Sequence, residues 1–199
     1  MITRKEMTRM LLKEGLLSCL ANNSFESVTV TSLCKASGIT RSTFYLHYNN
    51  IMEIIDDLVD DAIAYSKPGM VDNNNLQTIA KTLSAASDSV SLREAYDSIF
   101  DRLPLCQRII RHKKYLPLFL DEQISEYVLQ RIIGSEKDRQ GLVMAEALGI
   151  SFDVGVSVFV FLVHGLYAIN KEYKWTQSDE WLEAQKVIFE LVYRGLQSK

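Results

Sequence analysis

Between Thr40 and His47 the chain concentrates side chains that can grip a polyanion: Thr40, Arg41, Ser42 and Thr43, then Tyr45 and His47. Hydroxyls, a guanidinium, a phenol and an imidazole at these spacings suit hydrogen bonds to phosphate oxygens and to base edges. Arg41 is the natural candidate for a bidentate contact to guanine, because its fork of donors matches two acceptors on one base. Reading a major groove also requires a short rigid helix, set across a tight turn from a preceding helix and polar on its outer face. Leu33, Cys34 and Ala36 supply an apolar and small inner face for the first helix, Gly38 allows the turn, and Ile39 and Phe44 are placed to pin the second helix to the first.

No catalytic constellation competes with this segment. There is no CxxC pair, no HExxH, no phosphate-cradling glycine loop and no GxSxG elbow. The three histidines, His47, His112 and His164, are scattered along the chain and none stands at a usual metal-ligand spacing from a cysteine, so no local metal motif is expected. An enzyme, a cofactor and a metal site are therefore not expected. Cys19, Cys34 and Cys106 are too few and too scattered for a disulfide framework and suit a reducing cytoplasm. The charged start MITRKEMTRM has no apolar signal core, which also points to a cytoplasmic protein.

The elements that position these residues are helical. Leu12, Leu16, Cys19 and Leu20 mark one face of a helix over 4–22. Thr29 caps a short helix over 30–36 that Gly38 ends, and Thr40 caps another reaching about residue 47. Asn50 and Glu53 resemble a capping box for a helix over 50–66 with Ile51, Ile54, Ile55, Leu58 and Ala62 inward. The SKPGMVDNNN stretch then breaks the pattern, so the expected domains are residues 1–66, with three helices over 4–47 and a linking helix over 50–66, and residues 67–199. The second domain is expected to hold helices at about 74–87, 91–101, 103–111, 116–133, 137–148, 151–174 and 178–197. Val154, Val156, Val158 and Val160 alternate as a strand would, but the apolar stretch runs on to Ile169 with no other strand to pair with, so a helix is expected there too.

The 199 residues, 47% hydrophobic and 24% charged, fit an ordered all-α globule with no low-complexity segment. Net charge divides unevenly: residues 1–50 carry six Lys or Arg against three acids, while the remainder brings the whole chain to −3. Phe152 to Ile169 is nearly all apolar, yet Asp153, Ser157 and His164 interrupt it, so a buried helix and no membrane span is the expectation. Its apolar character all round, with the stripe Trp181, Ala184, Ile188, Leu191 and Gly195 on the last helix, suits a symmetric interface between two copies.

The segment TVTSLCKASGITRSTFYLHYNN, with LLKEGLLSCLANNSFESVTV ahead of it, resembles the DNA-binding signature of the TetR/AcrR family of transcriptional regulators over roughly residues 8–58. The resemblance implies an N-terminal helix-turn-helix, with Thr29 and Thr31 near phosphates, Thr40, Arg41, Ser42 and Thr43 at the start of the recognition helix, and Tyr45 and His47 on its backbone-contacting side. It further implies a helical C-terminal ligand-binding domain, a homodimer through the last two helices, a palindromic double-stranded operator and a small-molecule effector. Family members usually carry a lysine where this chain has Ile51, so one phosphate contact is missing, and affinity would lean on Arg41, Arg4, Lys5 and Arg9. For the ligand pocket the candidates are Phe100, Leu103, Cys106, Phe119, Tyr127, Met144, Phe159, His164 and Tyr167, which mix aromatic bulk with a few polar tips. The basic cluster Arg108, Arg111, His112, Lys113 and Lys114 reads as a solvated helix C-terminus. The alternative within the same fold is a regulator with no small-molecule ligand that acts through protein partners.

Overall fold

The computed structural model describes residues 3–66, 75–104, 107–108 and 113–197. Its described residues hold ten α-helices, three short 3₁₀ turns and no β-strand, so the protein is all-α. The helices are α1 (Arg4–Asn22), α2 (Val30–Ser37), α3 (Arg41–Tyr45), α4 (Ile51–Ser66), α5 (Asn75–Ser84), α6 (Ser89–Ser98), α7 (Pro117–Leu120), α8 (Glu122–Leu148), α9 (Phe152–Glu172) and α10 (Asp179–Gln197). They form two compact units: residues 1–66 with 109–132, and residues 67–108 with 133–199. The expected boundary at 66/67 is one junction between them, and the first unit also takes in 109–132.

The first unit is built on α1, which packs against α2, α4 and α7. Leu12 and Leu16 of α1, Leu33 of α2, Phe44 of α3 and Ile54 and Ile55 of α4 are its fully buried residues, and Leu118 and Leu129 join them from the later segment. The second unit has its core where α10 meets α5 and α6, around Ile79, Leu83, Leu92, Tyr96, Trp181 and Phe189.

Three departures from the sequence pattern have local causes. A single helix was expected over 116–133, but Asp121 is extended and its carboxylate stops one helix and starts the next: Oδ1 accepts from the Gln123 and Ile124 amides at 3.0 and 3.3 Å. Its Oδ2 accepts from the Phe25 amide at 2.6 Å, tying the segment before α2 to the same residue. Conversely α8 runs unbroken through 134–136, where an interruption was expected, because Ile132, Ile133 and Glu136 are all buried and their packing outweighs the roughly 1 kcal/mol helix penalty of Gly134. The third departure is rotational. On α10 the buried stripe is Trp181, Leu182, Gln185 and Phe189, and Leu191 of the expected stripe is 65% exposed. The expected helix over 103–111 lies largely outside the described residues; within it Gln107 and Arg108 are helical.

The alternating valines of 154–160 are helical, as length argued. The helix α9 is long and apolar enough, by length and composition, to cross a membrane, with a mean hydropathy of 1.9 over its best window and 28% of that window buried.

Gly38 is the one residue between α2 and α3 in the left-handed region, at φ 65°, and its amide closes the end of α2 on the Cys34 and Lys35 carbonyls. A Cβ there would touch nothing. Gly38→Ala therefore tests the backbone alone: it is expected to lower stability by about 1–2 kcal/mol, the cost of a left-handed alanine, read as a lower urea midpoint with unchanged slope.

Candidate nucleic-acid interface

Both short helices near the turn are capped by threonine. Thr29 accepts from the Ser32 amide at 3.1 Å, and Ser32 Oγ accepts from the Thr29 amide at 2.9 Å. Thr40 accepts from the Thr43 amide at 3.2 Å, and its hydroxyl lies 3.0 Å from that of Ser42 and 2.8 Å from that of Thr43. Three hydroxyls thus cluster at the start of α3. The residue between the helices closest in packing terms is Gly15 of α1: a Cβ there would sit 2.0 Å from Ser37 Oγ, so α1 and α2 are in near-backbone contact.

Helix α3 is amphipathic within five residues. Phe44 is completely buried and Tyr48, one turn on, is nearly so, with Phe44 edge-on to Tyr45 at 5.1 Å between ring centroids. The opposite face presents Arg41, Ser42, Tyr45 and Leu46, all exposed, as two i, i+4 pairs. Tyr45 is 51% exposed and Leu46 is 80% exposed. Thr43 and His47 flank this face half-buried, and His47 Nδ1 is buried with no hydrogen-bond partner. Thr31 and Thr29 are exposed on α2 and at its cap. All eight expected contact residues therefore lie in the α2–α3 segment of one unit. Sequence reasoning missed Leu46, because an apolar residue in a two-turn helix reads as core. Only the phase set by Phe44 and Tyr48 could have marked it as outward. In α2 the inner face is Leu33 and Cys34, whereas Ala36, expected inward, is exposed.

Helix α4 holds this segment from behind. Asp57 accepts from Arg9 Nε at 3.1 Å and from the Tyr48 hydroxyl at 2.6 Å, and the Arg9 guanidinium stacks 4.7 Å from the Tyr48 ring centroid. One turn on, Asp61 pairs with Lys13 of α1. On the other flank Asp56 takes Arg131 and the Tyr127 hydroxyl, and Asp60 takes Arg131 at 2.8 Å, both from α8. Arg9 is thus engaged by α4, whereas Arg4 and Lys5, expected with it to support DNA affinity, are exposed. At the start of α4 Asn50 Oδ1 caps the Glu53 amide at 3.1 Å, while Glu53 turns back to the Asn49 amide at 2.9 Å and not to Asn50. Those Asn49 hydrogen bonds hold the Glu53 carboxyl below its ordinary range.

The pocket candidates are divided. Phe119 and Tyr127 belong to the first unit, Phe119 buried and Tyr127 holding Asp56 through its hydroxyl. Phe100, Leu103, Met144, Phe159, His164 and Tyr167 belong to the second unit. There Leu103, Met144, Phe159 and Tyr167 are buried, and Leu103 is a member of the main core cluster with Phe100 packed against it. Cys106 lies outside the described residues, as do Arg111 and His112 of the basic cluster. Of the remainder Lys113 and Lys114 are exposed, but Arg108 is buried and so no part of a solvated helix end.

Sequence reasoning also missed a set of buried amides in the second unit. Trp181 Nε1 donates to Asn170 Oδ1 at 2.9 Å, and the Tyr96 hydroxyl donates to Gln107 Oε1 at 3.4 Å, with the Tyr96 and Trp181 rings edge to face at 5.1 Å. The Asn170 and Gln107 amide nitrogens, and both polar atoms of the fully buried Gln185, have no hydrogen-bond partner. A separate groove of about 430 Å³ is lined by Lys81, Ser84, Ala85, Glu190, Tyr193 and Arg194. Among the described residues no cluster of His, Cys, Asp and Glu could hold a metal, and burial raises the Cys19 and Cys34 thiols above their ordinary range.

The chain matches no protein-family model, no curated protein and no solved structure.

Burial, reinforced by the hydrogen bond to Asp57, raises the Tyr48 hydroxyl above the ordinary tyrosine range. An unfolded tyrosine ionises near about pH 10 and the folded one does not, so its contribution is complete below that pH and is lost as pH rises beyond it. Tyr48→Phe should cost about 1.5–3 kcal/mol at neutral pH, the worth of a hydrogen bond to a charged group. The gap from wild type, followed by urea unfolding, should narrow above pH 10.

Proposed function

We propose that the protein is a DNA-binding transcriptional regulator of the TetR/AcrR type: a cytoplasmic homodimer that represses from a palindromic double-stranded operator and is modulated by a small-molecule effector. The observation that carries this reading is the outer face of α3. A helix pinned by one buried aromatic, capped by hydroxyls and set across a left-handed glycine from α2 turns Arg41, Ser42 and Tyr45 outward together. This is the arrangement a helix-turn-helix needs in a major groove.

The dimer is supported by faces of the second unit that no described element covers. On α9 Val154, Phe161, Gly165 and Ala168 are exposed, Phe161 at 72%, while Gly155, Phe159, Val163 and Tyr167 turn inward. On α10 Val187 and Leu191 are exposed. Apolar faces on two long helices suit a four-helix seam with a second copy, and a two-fold repressor needs its recognition helices about 34–36 Å apart to meet successive turns of DNA. The effector arm is supported by the amide nitrogens of Gln107 and Asn170 and both polar atoms of Gln185, which have no partner within the chain although buried polar groups nearly always find one. The effector shifts DNA affinity only through differing affinity for two conformations. The burial of Leu103, Met144, Phe159 and Tyr167 favours the second reading, a regulator of the same fold that answers to a protein partner and no small molecule.

Selection from a random DNA pool by the purified protein is expected to enrich a palindrome. Arg41→Ala should weaken binding to it by about 1–3 kcal/mol and relax one position in each half-site. Failure to enrich any sequence at moderate salt, with and without candidate effectors, would refute the DNA reading.

Phe161→Glu is expected to convert the dimer to a folded monomer in sedimentation, because the side chain is already in solvent within one chain. A dimer unchanged by Phe161→Glu and by Leu191→Glu would exclude this face.

A further inference from the structure

We infer that Leu46 is a specificity-determining residue, and that it reads the C5 methyl group of a thymine in the major groove. The inference rests on the DNA-binding reading and names a contact that the polar residues of α3 cannot make. Leu46 is the most exposed of the large hydrophobics among the described residues, at 80%. Its backbone is fixed: it caps α3 in helical conformation, φ −75° and ψ −16°, with its amide bonded to the Thr43 carbonyl at 3.2 Å. The side chain is therefore held outward by the helix, with Ser42 one turn before it on the same face and Tyr45 beside it.

Packing does not account for a leucine at this position. Phe44 and Tyr48 take the inward phase of the helix, and a side chain so exposed contributes little to the core. Its neighbours Arg41, Ser42 and Tyr45 offer hydrogen bonds. Those serve guanine, adenine, cytosine and phosphate, but the thymine methyl is the only apolar group on the major-groove edge of the bases, and a branched aliphatic side chain is its complement. The five steps from Arg41 to Leu46 rise about 7.5 Å along the helix axis, so the thymine lies within about two base pairs of the base that Arg41 contacts.

The experiment replaces each thymine of the selected operator, one position at a time in both half-sites, with uracil, which keeps every hydrogen-bonding group and deletes only the methyl. Wild-type protein should lose about fourfold affinity per half-site at one thymine near the Arg41 contact, the fold-change for one methyl-sized apolar group. Leu46→Ala should bind the thymine operator more weakly by at least that factor and show no further loss with uracil at that position. It should retain wild-type sensitivity to uracil elsewhere, and its unfolding midpoint should not move. An operator whose every thymine tolerates uracil overturns the role of Leu46, as does a Leu46→Ala protein that keeps the full uracil loss. Either result leaves the DNA-binding reading standing. A wild-type protein that selects no operator overturns both.

Discussion

A helix of five residues closes too few hydrogen bonds to persist in water, where even good sequences need about 12–15 residues to be marginally helical. Helix α3 exists because Phe44 is completely buried in the core of the first unit, where α3 packs against α2, and because Thr40 fixes its first turn. The remainder of the candidate interface depends on that single anchor. With Phe44 inward, the 100° step of the helix leaves Arg41, Ser42, Tyr45 and Leu46 no direction but outward. Thr29, Gly38 and Thr40 then decide only how the two short helices begin and end. A larger helix could tolerate the loss of one buried contact; within its five residues this one has no second, and only Tyr48 beyond its end shares the inward phase.

The anchor is only as firm as its floor, and the floor is α4. Its buried stripe of Ile54, Ile55, Leu58 and Val59 fixes depth, while the acidic pairs Asp56 with Asp60 and Asp57 with Asp61 fix rotation. Each pair is spaced i, i+4, and each meets partners with the same spacing: Arg9 and Lys13 on α1, Tyr127 and Arg131 on α8. A helix held on both flanks by matched ladders cannot roll without breaking several charge-assisted bonds at once. Tyr48 links this floor to α3, since its hydroxyl ends on Asp57 and its ring packs 6.3 Å from that of Phe44. Partly exposed ion pairs are worth little singly, so their role here is register more than stability.

How much of this could be read from the chain follows from which interactions are local. The caps at Thr29 and Thr40, the stop at Gly38 and the helical state of α1 and α4 depend on residues within a turn of one another, and the pattern showed them. The ladders on α4 did not show, because DDLVDD looks like any solvated acidic face until Arg9 and Arg131, 48 and 75 residues away, are brought beside it. Asp121 was opaque for the same reason: its stop signal is a carboxylate shared with Phe25, 96 residues earlier. The phase of α10 was misjudged because its inward positions include Gln185, a residue that hydrophobic periodicity counts as outward.

The acidic ladders also bear on how a chain of net charge −3 could approach a polyanion. Carboxylates paired within the fold present less negative field to a phosphate backbone than free ones would. The same pairing engages Arg9, Lys13 and Arg131 within the fold, leaving Arg4, Lys5, Lys35 and Arg41 as the exposed cations of the N-terminal segment. Few phosphate contacts mean a weak non-specific term and a shallow dependence on salt, by counterion release. On the proposed DNA-binding reading, such a chain would gain little from charge alone and would depend for its affinity on the fit of the face of α3 to the bases. In such an interface the side chains that distinguish one base from another carry a larger share of the binding than in a strongly basic protein.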